Sequence, residues 1–113
     1  MSIKIERINS QMVKEISYIL ATEIKDNDIK FVTITAVKVT NDLSFAKVYF
    51  TVLDDTKRTS TIEALKNAAG FIRKELAERL EIRHIPELEF VYDESIEYGK
   101  KIETIIENIH EDW

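Results

Sequence analysis

The stretch IEALKNAAGFIRKELAERLEIRHIPELEF, residues 62–90, decides how the rest of the chain is read. Ile62, Leu65, Ala69, Ile72, Leu76 and Leu80 recur at steps of three or four, the apolar stripe of an amphipathic helix. Ala68-Ala69-Gly70 sits in the middle of that stripe. Glycine inside a helix costs about 1 kcal/mol relative to alanine, because it gives up more backbone entropy on folding. The chain has only two glycines, so one placed here predicts a kink or a close approach. Pro86, the only proline, ends the helical region, and Leu88-Glu89-Phe90-Val91-Tyr92 alternates as a short strand. The stretch therefore predicts a kinked helix pair, a proline break and a strand with Leu88, Phe90 and Tyr92 facing inward.

Upstream, Ile5, Ile8, Met12, Ile16, Ile19, Leu20 and Ile24 recur at helical spacing, predicting a long first helix over residues 3–25. Lys25-Asp26-Asn27-Asp28 ends it. Phe31–Thr40 is rich in β-branched residues, and Thr40-Asn41-Asp42 supplies turn chemistry. Phe45–Val52 alternates, with Ala46, Val48, Phe50 and Val52 on one side and Lys47, Tyr49 and Thr51 on the other. Two strands joined by a short polar turn make an antiparallel hairpin, with helices covering its apolar face. Ser60-x-x-Glu63 has the form of a capping box at the entry to the kinked helix, with a start a few residues earlier as the alternative. Downstream, Ser95 is placed to cap a last helix striped by Ile102, Ile105, Ile106, Ile109 and Trp113.

At 113 residues the chain is one domain, residues 1–113, with 95–113 as a C-terminal helical extension. Hydrophobic residues at 44% and charged residues at 33% suit a soluble globular protein. There is no cysteine, so thiolate metal sites and cysteine nucleophiles are excluded. No signal peptide or run of about 20 apolar residues is present, and a cytoplasmic location is expected. The net charge of −5 is unevenly spread. Residues 87–113 hold nine acids and two bases, a net of −7, whereas residues 1–86 hold fourteen bases and twelve acids, a net of +2. The first three quarters can therefore carry a basic patch despite the acidic total. On an ideal wheel Lys66, Gly70 and Arg73 share one side, about 100° from the core stripe, with Lys74 adjacent. Lys4 and Arg7 on the first helix are placed to extend that edge. As long as the charges form a free edge, reversing Lys66, Arg73 and Lys74 to Glu should leave the fold intact. The rival readings stand beside this one: an ordinary solvated helix face for the bases, and packing against a neighbouring element for Gly70.

Helix, strand, strand, kinked helix pair, strand is the order of the type II KH fold, an α+β domain with a three-stranded sheet and helices on one face, here with a C-terminal helix added. Four local sequences carry a more specific resemblance: Asn41-Asp42-Leu43-Ser44-Phe45-Ala46-Lys47-Val48-Tyr49, Ala68-Ala69-Gly70-Phe71-Ile72-Arg73, Pro86-Glu87-Leu88-Glu89-Phe90 and Asp93-Glu94-Ser95. In this order and at this length the chain closely resembles the bacterial ribosome-binding factor A family. In that family an Ala-X-Gly kink replaces the KH backbone-clamping loop, and Ala68-Ala69-Gly70 fits it. Many relatives carry a longer charged tail beyond the position of Trp113.

The resemblance implies a non-enzymatic protein that binds the free small ribosomal subunit and 16S rRNA. The implied role is late maturation, including 5′-end processing, with a link to growth in the cold. No cofactor, metal, membrane or small-molecule substrate is implied, and a monomer is expected. Candidate RNA-binding residues are Lys66, Asn67, Ala68, Ala69, Gly70, Arg73 and Lys74, with Lys4 and Arg7. At such a kink, small residues admit an RNA backbone and freed amide N–H groups favour phosphate. An enzyme finds little support in the residues: no nucleophile elbow, phosphate loop, dinucleotide fingerprint or metal-ligand spacing is present, and His84 and His110 stand far apart. A protein-interaction module with no RNA role is the alternative that the acidic total favours.

Overall fold

The computed structural model describes residues 3–95. Among these the chain runs α1 (Ile3–Thr22), β1 (Val32–Val39), β2 (Phe45–Val52), a 3-10 turn (Asp55–Lys57), α2 (Arg58–Arg79) and β3 (Glu87–Tyr92). The architecture is α+β, with a three-stranded sheet in the order β1-β2-β3 and the helices on one face. The β1–β2 hairpin is antiparallel, while β3 lies parallel to β2. Parallel pairing needs a crossover, and α2 provides it.

The first helix forms because its stripe has a sheet to cover. Ile8, Met12, Ile16, Ile19 and Leu20 are buried in one cluster with Ile34, Val37, Val48 and Phe50. The register places Val48 between Val37 of β1 and Phe90 of β3, so each strand contributes one side chain to a continuous apolar row. Each such side chain, fully buried, contributes about 1.5–3 kcal/mol relative to exposure. Asn9 fastens α1 to the sheet edge by accepting the Val39 N–H at 2.9 Å.

Two local features were not visible in the alternation. The β1–β2 register shifts between Ile34 and Ala36, leaving Thr35 as the extra residue of a bulge. Its hydroxyl donates to Asp93 at 2.6 Å, and Asp93 also accepts the Ser95 N–H at 3.0 Å and the Ser95 hydroxyl at 2.6 Å. Asp93 thus joins the end of β3 to the far strand. In the hairpin connection Leu43 has φ 61°, a left-handed conformation that costs a non-glycine residue roughly 1–2 kcal/mol. Burial of part of the Leu43 side chain against the core opposes that cost. Thr40 and Asp42 hold the turn, both accepting from the Ser44 N–H, at 3.1 and 3.0 Å.

The helix-kink-helix pair expected around Gly70 is one helix here: α2 runs without interruption through Ala68, Ala69 and Gly70. Leu65 on one side of the glycine and Ile72 and Leu76 on the other are all fully buried. Their combined burial outweighs the roughly 1 kcal/mol that a helical glycine costs, so the ladder continues. The amide N–H groups expected to be freed at a break are therefore not freed. The helix also starts earlier than the Ser60 box. Asp54 accepts the Thr56 N–H at 3.0 Å and caps the 3-10 turn that leads into Arg58, while the Ser60 hydroxyl donates back to the Lys57 carbonyl. The C-terminal helix expected beyond Ser95 lies outside the described residues.

Three carboxylates make the fold acid-sensitive. Hydrogen bonds from the Thr40 hydroxyl and then the Ser44 N–H lower the Asp42 pKa to about 2. Ser95 and Thr35 lower Asp93, and the Thr56 hydroxyl and N–H lower Asp54. A carboxylate with a lower pKa in the folded than in the unfolded state stabilises above its unfolded value, near 4, and loses that contribution as pH falls through the folded one. Thermal unfolding should show a constant midpoint from pH 7 to about 5 and a fall between about 4 and 2. An Asp42→Asn, Asp93→Asn variant should show a flatter profile; a midpoint in the wild type that is constant down to pH 2 would contradict these assignments.

Candidate nucleic-acid interface

Burying one side of α2 dictates what its other side presents. Thr61, Ala64, Leu65, Ile72 and Leu76 are buried, and Ala68 and Ala69 are half-buried against the core cluster. The outer face carries Glu63, Lys66, Asn67, Gly70, Lys74 and Ala77, all exposed. A Cβ built on Gly70 would meet no heavy atom within 4 Å, and the glycine does not have positive φ. Neither packing nor backbone conformation therefore requires glycine at this position, which removes the reading of Gly70 as a close internal contact. What the glycine does produce is a flat place on the helix where an external group can approach the backbone, flanked by Lys66 one turn before and Lys74 one turn after.

Arg73 has a different task from its neighbours. Its Nε donates to the Pro86 carbonyl at 3.1 Å and its terminal nitrogen to the Ile85 carbonyl at 3.0 Å. The guanidinium fork thereby fastens the connection between α2 and β3 to the helix, and Pro86 is buried there. The edge of three bases expected to tolerate reversal to Glu is thus two exposed lysines and one structural arginine. A Glu at 73 would set a carboxylate against two carbonyl oxygens.

Lys4 and Arg7 belong to a second place. With Gln11 and Lys14 they follow the helical steps 4, 7, 11, 14 along α1 and line a cleft of about 490 Å³ completed by Ile8, Glu15 and the 79–82 segment. Lys66 and Lys74 do not line it. Arg79, at its wall, is occupied by carboxylates: Glu75 at 3.3 Å, Glu23 at 3.6 Å and Glu15 at 3.9 Å, with the Tyr18 ring 5.1 Å from the guanidinium carbon. Among the described residues, Lys4, Arg7 and Lys14 are the bases of this cleft with no carboxylate in ion-pair contact. Lys14 was not singled out from sequence, although its spacing from Lys4 and Arg7 was available as a signal.

Catalytic chemistry has little to stand on in the described residues. They include no group of three or more metal-ligating side chains. A smaller cavity of about 320 Å³ is lined by Asn27, Asp28, Phe31, Val52, Leu53, Asp54, Lys57 and Thr61. The Thr61 hydroxyl is turned to the Asp28 carbonyl at 2.9 Å, so it fastens α2 to the loop before β1. Among the described residues no helix is long and apolar enough to cross a membrane.

A family model described as Ribosome-binding factor A matches residues 4–106. Ribosome-binding factor A of Staphylococcus carnosus is 53% identical over 106 residues, covering 93% of this chain and 92% of the relative. A solution structure of a Thermotoga maritima protein, described as a putative ribosome binding factor A, superposes with a TM-score of 0.72 at 26% identity, covering 84% of this chain and 92% of that one. A homology model of the Thermus thermophilus ribosome binding factor A, fitted into a cryo-EM map of a 30S complex, superposes with a TM-score of 0.64 at 23% identity, covering 76% of this chain and 91% of that one.

These roles separate cleanly by unfolding in urea. Arg73→Met should cost about 1–3 kcal/mol, since two carbonyls in the connection to β3 lose their donors. Lys74→Ala should stay within about 0.5 kcal/mol of wild type. Gly70→Ala should stabilise by roughly 0.5–1 kcal/mol, because its methyl group meets nothing and the backbone gains helix propensity.

Proposed function

The chain belongs to the ribosome-binding factor A family, and from that premise we propose that it binds the free small ribosomal subunit through the outer face of α2. It assists late maturation of 16S rRNA, including processing of the 5′ end, and acts by binding without catalysing a reaction. The observation that carries this reading is Gly70: an exposed glycine in mid-helix, with open space beside it and a lysine one turn away on either side. Maintaining glycine there lowers helix stability, and close approach by an external backbone is the use that offsets it.

With α2 unbroken, the contact does not run through a half-helix terminus. A sugar-phosphate backbone would lie across the flat of Asn67 and Gly70, with Ala68 and Ala69 keeping the helix surface low and Lys66 and Lys74 neutralising phosphates. Lys4, Arg7 and Lys14 form a second basic site on α1, suited to another segment of the same RNA. Binding at these places favours whichever rRNA arrangement fits them, and it shifts the population by the difference in affinity between the two arrangements. rRNA rearrangements slow on cooling, so the contribution should matter most in cold growth. The protein would act as a cytoplasmic monomer that leaves the mature subunit. A homology model of the Thermus thermophilus relative has been fitted into a cryo-EM map of its complex with the 30S subunit, which supports the choice of partner.

Co-sedimentation with separated ribosomal subunits tests this. The wild type should travel with free small subunits and not with large subunits or whole ribosomes. Its affinity should fall with salt by about 0.7–0.9 log units per log unit for each phosphate neutralised. A Lys66→Glu, Lys74→Glu variant should keep the wild-type melting profile, lose most of the association and show a shallower salt slope. Unchanged binding and slope in that variant would place the RNA surface elsewhere.

A further inference from the structure

The helices cover one side of the sheet, and its other side carries a pattern that the α2 interface does not use. Register and pleat place Thr33, Ala36 and Lys38 of β1, Phe45, Lys47, Tyr49 and Thr51 of β2, and Glu87, Glu89 and Val91 of β3 on this open side. Phe45 is 55% exposed although Ala46 beside it is buried, so its ring stands on the solvent side by the pleat and not at a frayed end. Lys47 follows two residues on, roughly 7 Å along the strand on the same side.

Lys38 is paired directly across from Lys47. Like charges directly opposite each other on a sheet destabilise it, and Glu89, the register partner of Lys47 on β3, offsets part of that cost. Among the described residues no carboxylate lies within the 4 Å ion-pair distance of either ammonium group. Lys38 is instead held over the Tyr49 ring, 5.7 Å from its centre. The carboxylates of this side, Glu87 and Glu89, stand on β3. The register sets Glu89 directly beside Lys47 and Glu87 directly beside Phe45, so this side runs from basic at β1 to acidic at β3, with Lys47 between. An exposed aromatic ring with two lysines on the same side of the sheet is an arrangement that suits single-stranded nucleic acid, with ring–base stacking and ammonium–phosphate contacts. A protein partner fits less well, because the ring is surrounded by threonine, lysine and glutamate and not by a contiguous apolar patch.

We propose that the open side of the sheet is a second RNA surface, on which an unpaired base stacks on Phe45 while Lys38 and Lys47 hold the adjoining phosphates. The proposal rests on the reading of the chain as a binder of the small subunit and extends it to a surface on the opposite side of the sheet from α2. The role of Tyr49 is to position Lys38, which explains why the strand reads Phe45-Ala46-Lys47-Val48-Tyr49 with three functional side chains on one side and two core residues on the other.

The test measures affinity for purified small subunits, and for a mixed-sequence single-stranded RNA oligonucleotide, across a salt series. Phe45→Ala should weaken subunit binding about 5- to 150-fold with an unchanged salt slope, because stacking releases no counterions. Phe45→Trp should bind as the wild type does, and Phe45→Leu should be weakened like Phe45→Ala. Lys38→Gln, Lys47→Gln should lower the salt slope, and its melting midpoint should stay close to wild type, because the like-charge pair is lost together with the Lys47–Glu89 neighbour pair and the Lys38–Tyr49 contact. Equal binding by Phe45→Ala and wild type overturns the proposal while leaving the α2 reading in place. Full binding by Phe45→Leu also overturns it, since an aliphatic contact with a protein would then explain the surface. If the wild type binds neither subunit nor oligonucleotide, both readings fall together.

Discussion

The seat of α2 on the sheet is the constraint from which the rest of this domain follows. Leu65, Ile72 and Leu76 must all be buried, and they lie on both sides of Gly70. To bury all three the helix has to continue through the glycine, and once it does, the opposite side is determined: Lys66, Gly70 and Lys74 face solvent. The crossover made by α2 also sets the parallel pairing of β3 with β2 and brings Phe90 to Val48. Arg73 completes this connection by holding the carbonyls of Ile85 and Pro86 before the chain enters β3. At the other end of α2 the Arg58 guanidinium lies 3.6 Å from the centre of the Tyr92 ring, so both ends of the crossover are fastened to β3 or its approach.

The same seat separates the polar surfaces. Among the described residues, the outer face of α2, the α1 stripe of Lys4, Arg7 and Lys14, and Lys38 and Lys47 on the open side of the sheet are distinct groups of bases in a chain whose net charge is −5. Their acidic counterparts are spent locally: Glu15, Glu23 and Glu75 surround Arg79, and Glu87 and Glu89 stand along β3. An overall charge therefore says little about which partner such a domain takes. The arrangement of cations around flat or aromatic ground says more.

Much of the fold was legible because burial imposes simple periods. The α1 stripe from Ile5 to Leu20 and the alternation from Ala46 to Phe50 can be read directly, and both are buried where expected, with Val52 at the strand end only partly so. The break expected at Gly70 does not form because the local glycine penalty is smaller than the burial of Leu65, Ile72 and Leu76 on either side of it. At the entry to α2 the earlier of the two starts that the sequence allows is the one adopted, because the Asp54 carboxylate caps the preceding turn. Arg73 could not be assigned from sequence, since its partners lie 12 and 13 residues away in a connection with no periodicity. Whether Gly70 packed internally or stood open was equally a three-dimensional question. The bulge at Thr35 leaves the alternation of its neighbours nearly intact, which hides it from a period count.

Gly70 is where the stability of the fold and the binding of RNA make opposite demands. The most direct measurement is therefore co-sedimentation of Gly70→Gln with free small subunits, alongside its unfolding midpoint. A folded protein at least as stable as wild type that has lost the subunit is the expected result, because the side chain enters space that is open in the free chain and filled by RNA in the complex. A variant that is equally stable and binds as tightly as wild type would contradict the assignment of α2 as the RNA-binding surface.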